Sequence, residues 1–523
     1  MTFRLDYKKL LVFAIFLYAF ILRIYILHYP HYAEDGNRDY LVSSHIIKYG
    51  EYPLAVNIDG KPINSPIYFY LHAIPLLLKN DMITVGWTNL IGQMLALYFI
   101  YLLAKKIFGF STAVLTILFV GLSSNFILES NYTWHPWFMQ PFLMASYYYL
   151  YLYLNQGKYR YAIVSIYLYV LSLAIHNSVF LLLPLYLGLI FFHSLKKKQK
   201  FSRLVRLIFV FIASVFINFF PVIIYLIKNP SQIKRFYIFS NPEVNYFSFD
   251  FLRFLKQFYL NFLSLYEYAF PDIGKFIDPF IFIILSLIIL LVSLLKKGLN
   301  KKLGIGILYY LFLTSFMKKP DPLPVRYITP ILMLFCLLLA ERINNLVNFR
   351  LSSIFKFTFV LSLIILTNRQ FLDLNNSLLS HFYSSKSAFT AIKKLIFKEY
   401  IIPPAVAKVK EEVINLKQSY HFQDYDFFQF KSYLQGKYHE YVNAVFWTPL
   451  ELEFKRKFTR VDDNANHVYS SFNEDKFIFL ICKYSEMENC KELFLKYHKN
   501  FNIIKIIDPS DFYYRIYLAK RVG

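Results

Sequence analysis

The sequence predicts a polytopic α-helical membrane protein followed by a small α/β domain on the outer side of the membrane. Apolar runs recur from residue 10 to about residue 368, and a helix needs about 20 such residues to cross the ~30 Å core of a bilayer. The composition agrees, because 57% of the chain is hydrophobic and only 17% is charged, against ~25% charged residues in soluble domains. Between the apolar runs, basic residues cluster in one set of loops and acidic residues in the other, as a fixed membrane topology requires.

About eleven membrane-spanning helices are predicted. Their approximate bounds are 10–28, 83–104, 111–128, 137–154, 161–176, 178–194, 207–227, 279–295, 303–317, 327–346 and 353–368. The continuous apolar stretch 161–193 is too long for one ordinary span, and the polar "HNS" in its middle predicts a tight hairpin. No small-residue cleavage site follows the first run, so it is predicted to remain as a helix instead of being removed as a signal peptide.

The net charge of +24 is interpreted as topological. Lys and Arg cluster between the predicted spans, at 105–106, 158–160, 196–206, 296–302 and 342–356. Placing these clusters inside gives a consistent alternation, with the N-terminus inside and the C-terminus outside. A nucleic-acid partner, which such a charge would suggest in a soluble protein, is therefore not predicted.

The chain is predicted to divide into a transmembrane domain, residues 1–370, and an extracytoplasmic α/β domain, residues 371–523. The first carries two substantial outer segments, 29–82 and 228–278. In the second, "AFTAIKKLIF" has a helical period, while "KFIFLICKY" and "FYYRIYLAK" are typical of strands. Cys482 and Cys490 are two free thiols or a disulfide, depending on the compartment.

The acidic residues indicate where the polar chemistry lies. Fifteen Asp and Glu precede residue 370, and none lies inside a predicted span. Thirteen of them map to outer segments. A proton- or ion-coupled transporter usually needs ionisable groups within the bilayer, so a transporter or flippase is the weaker alternative and the outer face is the predicted site.

The densest acidic cluster is "EDGNRDY", residues 34–40, directly after the first span. Taken alone, it is typical of a solvated turn, with Asp39 capping the helix that follows. The next residues predict an amphipathic helix on the membrane surface that ends at Gly50. A turn-rich stretch then leads into the short apolar segment "SPIYFYL".

This order of segments resembles the membrane glycosyltransferases of the C-type fold. More narrowly, it is similar to glycosyltransferase family 39, which is related to the protein O-mannosyltransferases and to the lipid A aminoarabinose transferase. Three further stretches carry the resemblance: "NYTWHPWFMQPFL" (131–143), "LAIHNSVFLLLP" (173–184) and "RYITPILMLF" (326–335). It covers roughly residues 1–370.

The resemblance implies transfer of a sugar from a polyprenyl-phosphate donor on the outer membrane face. The family's catalytic base matches Asp35, with Asp39 and Glu34 as neighbouring carboxylates. A positioned carboxylate can take the proton that the acceptor hydroxyl loses in the transition state. The phosphate leaving group needs cations, for which the outer-face candidates are Arg38, Lys61 and Arg326.

Four further residues are candidates for lining the pocket. Tyr68 lies in "SPIYFYL", Glu129 ends the third span, and His135 and His176 belong to the other two matching stretches. Three of them have an ordinary structural alternative: Glu129 as a charged residue that marks the end of a span, and His135 and His176 as interfacial residues bonded to backbone. The sequence also departs from the family, with "NSP" in place of Lys-Pro-Pro and "WHP" in place of Trp-Asn-Pro.

Cofactors and acceptors stay open. Asp35, Asp39 and Glu129 offer oxygen ligands for Mg²⁺ or Mn²⁺, but no metal is predicted, because C-type enzymes differ in metal dependence. The acceptor is a lipid, a glycan or a protein, and the expected location is a bacterial plasma membrane. A polymerase or ligase of lipid-linked sugars is the other alternative, although that class relies on Arg instead of an early acidic cluster.

Overall fold

The computed structural model describes fewer residues than the chain contains. These residues are 7–27, 34–50, 52–58, 61–80, 82–123, 126–127, 130, 135–197, 201–230, 251–269, 279–295, 298–316, 327–350, 411, 428–432, 460–461, 477–483, 501–507 and 514–521. The chain forms two compact units. Unit 1 comprises Met1–Leu27 and Val42–Leu374, and unit 2 comprises His28–Leu41 and Asn375–Gly523. The predicted division at residue 370 lies outside the described residues and stays a prediction.

Helices dominate the part of the chain before residue 351. They are α1 (Tyr7–Leu27), α2 (Glu34–Tyr49), α3 (Ile67–Leu76), α4 (Met82–Phe108), α5 (Phe110–Leu122), α6 (His135–Phe138), α7 (Gln140–Gln156), α8 (Tyr159–Ile175), α9 (Leu183–Lys196), α10 (Phe201–Lys228), α11 (Phe251–Ala269), α12 (Pro279–Leu295), α13 (Leu299–Ser315) and α14 (Thr329–Arg350). A 3₁₀ helix, Asn177–Leu182, precedes α9. Between α2 and α3 lie two paired strands, β1 (Val56–Ile58) and β2 (Lys61–Asn64).

Three described helical stretches are long and apolar enough to cross a membrane: Ile83–Phe108, Asn177–Lys196 and Phe201–Lys228. Helices also occupy seven other predicted spans, and the eleventh, 353–368, lies outside the described residues. The protein is therefore a helical integral membrane protein. The count of eleven spans and their orientation stay predictions.

The long apolar stretch 161–193 does divide at "HNS". Helix α8 ends at Ile175, and His176 adopts an extended conformation with φ −148° and ψ 128° before the 3₁₀ helix. The two arms then pack together, because the rings of Tyr169 and Tyr186 stack with centroids 3.8 Å apart. The hairpin prediction is confirmed.

Helices α1, α4 and α5 pack closely around a small residue. A Cβ atom at Gly121 would lie 3.3 Å from Leu97 and 3.5 Å from Ala19. Small residues at such crossings allow helices in a membrane to approach and gain van der Waals contact.

A buried guanidinium joins α1 to the end of α5. Arg23 is 1% exposed, and its Nη1 donates to the carbonyl oxygens of Ala19 at 3.1 Å and Gly121 at 2.7 Å. Its Nη2 donates to Val120 and Phe126, each at 3.5 Å. Carbonyls at a helix C-terminus have no partner within the helix, so Arg23 supplies the missing donors. Helix α5 ends at Leu122, earlier than the predicted 128.

Hydrogen bonds between hydroxyl groups hold α7, α8 and α9 together. Ser146 donates to the carbonyl of Ser165 at 2.9 Å, and Ser165 donates back to the carbonyl of Ser146 at 2.8 Å. Tyr186 bonds to both hydroxyls. Nearer the other end of the same helices, the hydroxyls of Tyr153 and Ser194 lie 2.6 Å apart.

Two further polar contacts join the later helices. The amide of Asn261 on α11 donates to the hydroxyls of Thr314 and Ser315 on α13, each at 3.0 Å. Beyond the centre of α14, Arg342 lies 3.2 Å from Glu341 and donates to Ser293 on α12 at 2.9 Å. These contacts join four helices in two pairs, α11 with α13 and α12 with α14, through polar atoms that lipid cannot satisfy.

Unit 2 contains a five-stranded mixed sheet. Its strands are β3 (Phe428–Ser432), β4 (Arg460–Val461), β5 (Phe477–Lys483), β6 (Phe501–Ile507) and β7 (Tyr514–Arg521), in the order β4-β3-β5-β7-β6. β3 is parallel to β4 and β5, while β7 is antiparallel to β5 and β6. The two predicted strands are thus present as β5 and β7. The predicted helix "AFTAIKKLIF" and Cys490 lie outside the described residues.

Replacing Arg23 with Leu should destabilise unit 1. The carbonyl groups of Val120, Gly121 and Phe126 would lose a charged donor, and leaving buried acceptors unsatisfied costs about 1–3 kcal/mol. The expected result is a lower midpoint of thermal unfolding in detergent. Arg203→Gln, at an exposed position on α10, is the matched control. Equal midpoints for the two variants would contradict a stabilising role for the buried guanidinium.

Candidate functional site

The candidate site begins on the short helix α3. Tyr68 and His72 lie one turn apart on it, with ring centroids separated by 4.2 Å, and both are buried, at 2% and 0% exposure. The start of α3 is held by Ser65, whose hydroxyl donates to the carbonyl of Asn218 on α10 at 2.6 Å and accepts from the amide of Ile67. This anchor fixes the face of α3 that carries the two rings.

His72 has a defined orientation. Its Nε2 lies 3.1 Å from Oδ1 of Asn89 on α4, and Asn89 is 4% exposed. An amide oxygen only accepts hydrogen bonds, so this contact requires the proton on Nε2. Asn89 therefore selects one tautomer of a buried imidazole.

The short helix α6 brings two more rings to the same place. His135 lies 5.7 Å from Tyr68 between ring centroids, and Phe138 lies 5.5 Å from Tyr68 and 4.5 Å from His72. The backbone of α6 is fixed from α4, because Gln93 donates to the carbonyl of Trp137 at 2.8 Å.

His176 completes the group from the break between α8 and the 3₁₀ helix. Its ring centroid is 5.0 Å from that of His135 and 6.4 Å from that of Tyr327. The Nδ1 atom accepts from the amide of Ser178 at 3.3 Å and lies 2.7 Å from the Ser178 hydroxyl. In a neutral ring, an accepting Nδ1 leaves the proton on Nε2, so His176 presents a donor on its other side.

We call Tyr68, His72, His135, Phe138, His176 and Tyr327 the imidazole cluster. Tyr327 is held close by Tyr310, whose hydroxyl donates to the carbonyls of Tyr327 and Ser178. All six residues belong to unit 1, although they come from segments up to about 260 residues apart in sequence. Chemically, three imidazoles can donate hydrogen bonds to an anion.

The structure brings together three of the predicted pocket residues, Tyr68, His135 and His176. Their role in a reaction stays a prediction. The fourth, Glu129, lies outside the described residues, as does Arg326. Lys61 is placed on β2 (Lys61–Asn64), which pairs antiparallel with β1 (Val56–Ile58), and its side chain is outside the described part.

The acidic cluster "EDGNRDY" is helical, not the turn that the sequence favours. Helix α2 begins at Glu34 and so includes the whole cluster; it ends at Tyr49. Negative charge at a helix N-terminus is favourable because the unpaired N–H groups there carry partial positive charge, which accounts for helix where Gly36 and Asn37 suggest a turn. The predicted stop at Gly50 is confirmed, since Gly50 has φ +68°.

A helix places positions 35 and 39, four residues apart, on one face. The side chain of Asp39 is buried, at 0% exposure. The side chains of Glu34, Asp35 and Arg38 lie outside the described residues. Asp39 belongs to the segment His28–Leu41, which forms part of unit 2.

His72, Asn89 and Tyr327 were not predicted from the sequence to belong to the site. His72 had a usable signal, because it follows Tyr68 by four residues on the helix that "SPIYFYL" begins. Tyr327 also had a signal, because it follows Arg326 in "RYITPILMLF", one of the stretches that carry the resemblance. Asn89 had no local signal, since an Asn near the start of an apolar helix is an ordinary residue until its partner is known.

Two solved structures are similar to this chain over nearly its whole length. ArnT from Cupriavidus metallidurans bound to undecaprenyl phosphate matches with a TM-score of 0.57 and 11% identity, covering 97% of each chain. The apo state of the same ArnT matches with a TM-score of 0.55 and 12% identity, covering 97% of this chain and 98% of that one. The fold is the C-type glycosyltransferase fold.

At 11–12% identity, the C-type fold is what the likeness establishes. No protein-family model matches the sequence. No curated protein matches it either. The narrower resemblance to glycosyltransferase family 39 therefore stays a prediction.

The histidines should differ in reactivity toward diethyl pyrocarbonate. His45 is exposed, whereas His72 and His176 are buried at 0% and 3% exposure. We expect His45 to be carbethoxylated at least tenfold faster than either buried ring in the folded protein, as measured by peptide mass spectrometry. Equal rates in denatured protein are the control. Equal rates in the folded protein would contradict the buried placement of the cluster.

Proposed function

We propose that this protein is a membrane glycosyltransferase that moves a sugar from a polyprenyl-phosphate donor to an acceptor hydroxyl. One observation carries the proposal. The chain matches ArnT over 97% of both lengths, and that ArnT was solved with undecaprenyl phosphate bound. The acceptor is a lipid, a glycan or a protein. The reaction takes place on the outer face of a bacterial plasma membrane, with membrane lipids around the protein.

Asp35 is the proposed general base. The acceptor oxygen attacks the anomeric carbon of the donor, the bond from that carbon to the phosphate oxygen breaks, and the hydroxyl proton passes to the Asp35 carboxylate. The products are the glycosylated acceptor and polyprenyl phosphate. Asp39 and Glu34 are the supporting carboxylates, and helix α2 puts position 39 on the same face as position 35.

The leaving phosphate requires positive charge or strong donors. Arg38, Lys61 and Arg326 are proposed to bind it, since an Arg fork can bond two phosphate oxygens at once while a Lys acts as a point charge. The imidazole cluster adds a neutral donor group, because the accepting Nδ1 of His176 places the proton of a neutral ring on Nε2. His135 and His176 are the proposed pocket residues of unit 1.

Metal dependence is a separate question. Among the residues that the structure describes, no three His, Cys, Asp or Glu side chains converge in a way that would hold a metal ion. The residues proposed as oxygen ligands for Mg²⁺ or Mn²⁺ are Asp35, Asp39 and Glu129, of which only Asp39 has a described side chain. The proposed step uses carboxylate, imidazole and cationic groups of the chain itself.

Asp35→Asn should remove most of the activity. The amide keeps the shape of the side chain but cannot take a proton, and a positioned base contributes about 10²–10⁴-fold to rate. Purified protein would be supplied with polyprenyl-phosphate sugars, and release of free polyprenyl phosphate would be measured. We expect kcat to fall by about that factor with little change in KM.

Glu411→Gln, at an exposed position far from the acidic cluster in sequence, is the control that should keep full activity. Asp39→Asn and Glu34→Gln rank the neighbouring carboxylates. If Asp35→Asn turns over as fast as the wild type, the base assignment is wrong while sugar transfer stands. If no lipid-linked sugar is consumed but one crosses sealed vesicles, the protein is a flippase.

His135 and His176 should act together. Their ring centroids lie 5.0 Å apart, and residues in direct contact typically show coupling energies of about 0.5–3 kcal/mol in a double-mutant cycle. We therefore expect the kcat/KM of the double Ala variant, relative to the wild type, to be higher than the product of the relative values of the two single variants. The factor between them corresponds to this coupling energy. Phe192→Ala, an exposed residue on α9, paired with His176→Ala is the additive control. Strict additivity for both pairs would show that the two imidazoles do not share a ligand.

A further inference from the structure

An apolar groove lies in unit 1 between helices α4, α7, α9, α13 and α14. Its walls include Leu150 and Leu154 on α7, Leu185 on α9 and Leu303 on α13. Its cavity volume is about 90 Å³, and it is open on one side. Because the lining is almost entirely apolar, water is a poor occupant.

This groove is separate from the imidazole cluster. Helix α7 begins at Gln140, beside the cluster's Phe138, and its groove-lining residues run from Tyr147 to Leu154. With a rise of 1.5 Å per residue, Leu154 lies about 20 Å along the helix from Gln140. The groove therefore serves the other end of the bundle, which the positive-inside rule predicts to be the inner end.

Basic residues surround this end of the groove. Lys302 lines it and is exposed. Lys196, Lys197 and Lys302 each lie close enough to His193 to act on it electrostatically. Lys106 adjoins the groove as well, because its carbonyl accepts from the hydroxyl of Tyr151 at 3.0 Å.

One polar atom in the wall lacks a protein partner. The hydroxyl of Tyr147 is buried and has no hydrogen-bond partner among the described residues, although Tyr147 lines the groove. The hydroxyl of Tyr186, another lining residue, does bond to Ser146 and Ser165. A buried hydroxyl without a partner costs free energy, so an acceptor on a bound molecule would stabilise Tyr147.

We propose that this groove binds an anionic phospholipid of the surrounding bilayer. The three parts of the lipid match three features of the groove: an acyl chain lies along the leucine wall, an ester carbonyl accepts from Tyr147, and the phosphate lies at Lys302. The positive charge favours an anionic headgroup over a zwitterionic one, as basic residues near a membrane surface do. This site is independent of the proposed sugar transfer.

The test compares lipids on the purified full-length protein in detergent. Phosphatidylglycerol should raise the midpoint of thermal unfolding more than phosphatidylcholine does, and Lys302→Gln should weaken the apparent affinity for phosphatidylglycerol about fivefold. Lys301→Gln is the matched control, because Lys301 is an exposed neighbour that does not line the groove; its affinity should stay unchanged.

A positional measurement accompanies the affinities. Phosphatidylglycerol with a photoreactive acyl chain should crosslink to peptides containing residues 182–189 and 302–306. Gly306→Leu should abolish those crosslinks, since a Cβ at Gly306 lies 3.5 Å from Leu185 in ordinary contact and a longer side chain extends into the groove.

Three results would overturn the assignment. Equal stabilisation by the two phospholipids would show that the groove does not select an anionic headgroup. An equal loss of affinity for phosphatidylglycerol in Lys301→Gln and Lys302→Gln would show that the effect comes from general surface charge. Displacement of the crosslinking lipid by polyprenyl phosphate but not by phosphatidylglycerol would make the groove a site for the sugar donor's tail. Tyr147→Phe, which alters only the hydroxyl, keeps the test valid if Gly306→Leu fails to fold.

Discussion

A charge placed inside an apolar bundle must find its partners within the protein, and Arg23 meets this requirement with four backbone carbonyls. Three of them belong to the end of α5 and the residues just after it. The guanidinium therefore does two things at once: it satisfies a helix C-terminus that lipid cannot solvate, and it fixes where α5 stops. The chain after α5, which leads to His135 on α6, therefore begins at a position that this contact defines.

The imidazole cluster depends on the same constraint applied at several helix ends. Tyr68 and His72 lie on a ten-residue helix that Ser65 anchors to α10, His135 lies on one helical turn, and His176 lies at a break. Each interruption frees backbone groups, and the structure pairs them with the side chains of His176, Tyr310 and Gln93. Polar chemistry therefore collects where helices end, while their interiors stay apolar.

The comparison with ArnT shows that this fold forms from sequences with very low identity. Two chains that share 11–12% of their residues have the same fold over almost their full lengths. Helix packing in a membrane accepts many apolar residues of suitable size, and it is specified mainly by small residues at crossings and by interhelical hydrogen bonds. Gly121 and the reciprocal pair Ser146–Ser165 are examples here, and neither belongs to a motif that sequence comparison would find.

The amino-acid sequence by itself determined the class of the protein, the approximate positions of its helices, the hairpin at His176 and two strands of the C-terminal sheet. Hydrophobic periodicity and run length are local properties, and lipid makes them decisive because only complete helices can satisfy a backbone in a bilayer. Tyr68, His135 and His176 were selected through the three stretches that carry the resemblance to the C-type glycosyltransferases: "SPIYFYL", "NYTWHPWFMQPFL" and "LAIHNSVFLLLP".

Only the tertiary structure decided which of these residues meet. His72 and Asn89 are 17 residues apart on different helices, and Arg23 finds its acceptors about 100 residues further along the chain. Local signals did not decide the state of the acidic cluster, because Gly36 and Asn37 favour a turn while the acidic residues favour a helix N-terminus. Long-range contacts of this kind leave no periodicity and no compositional bias in the sequence, because they form only when the helices pack.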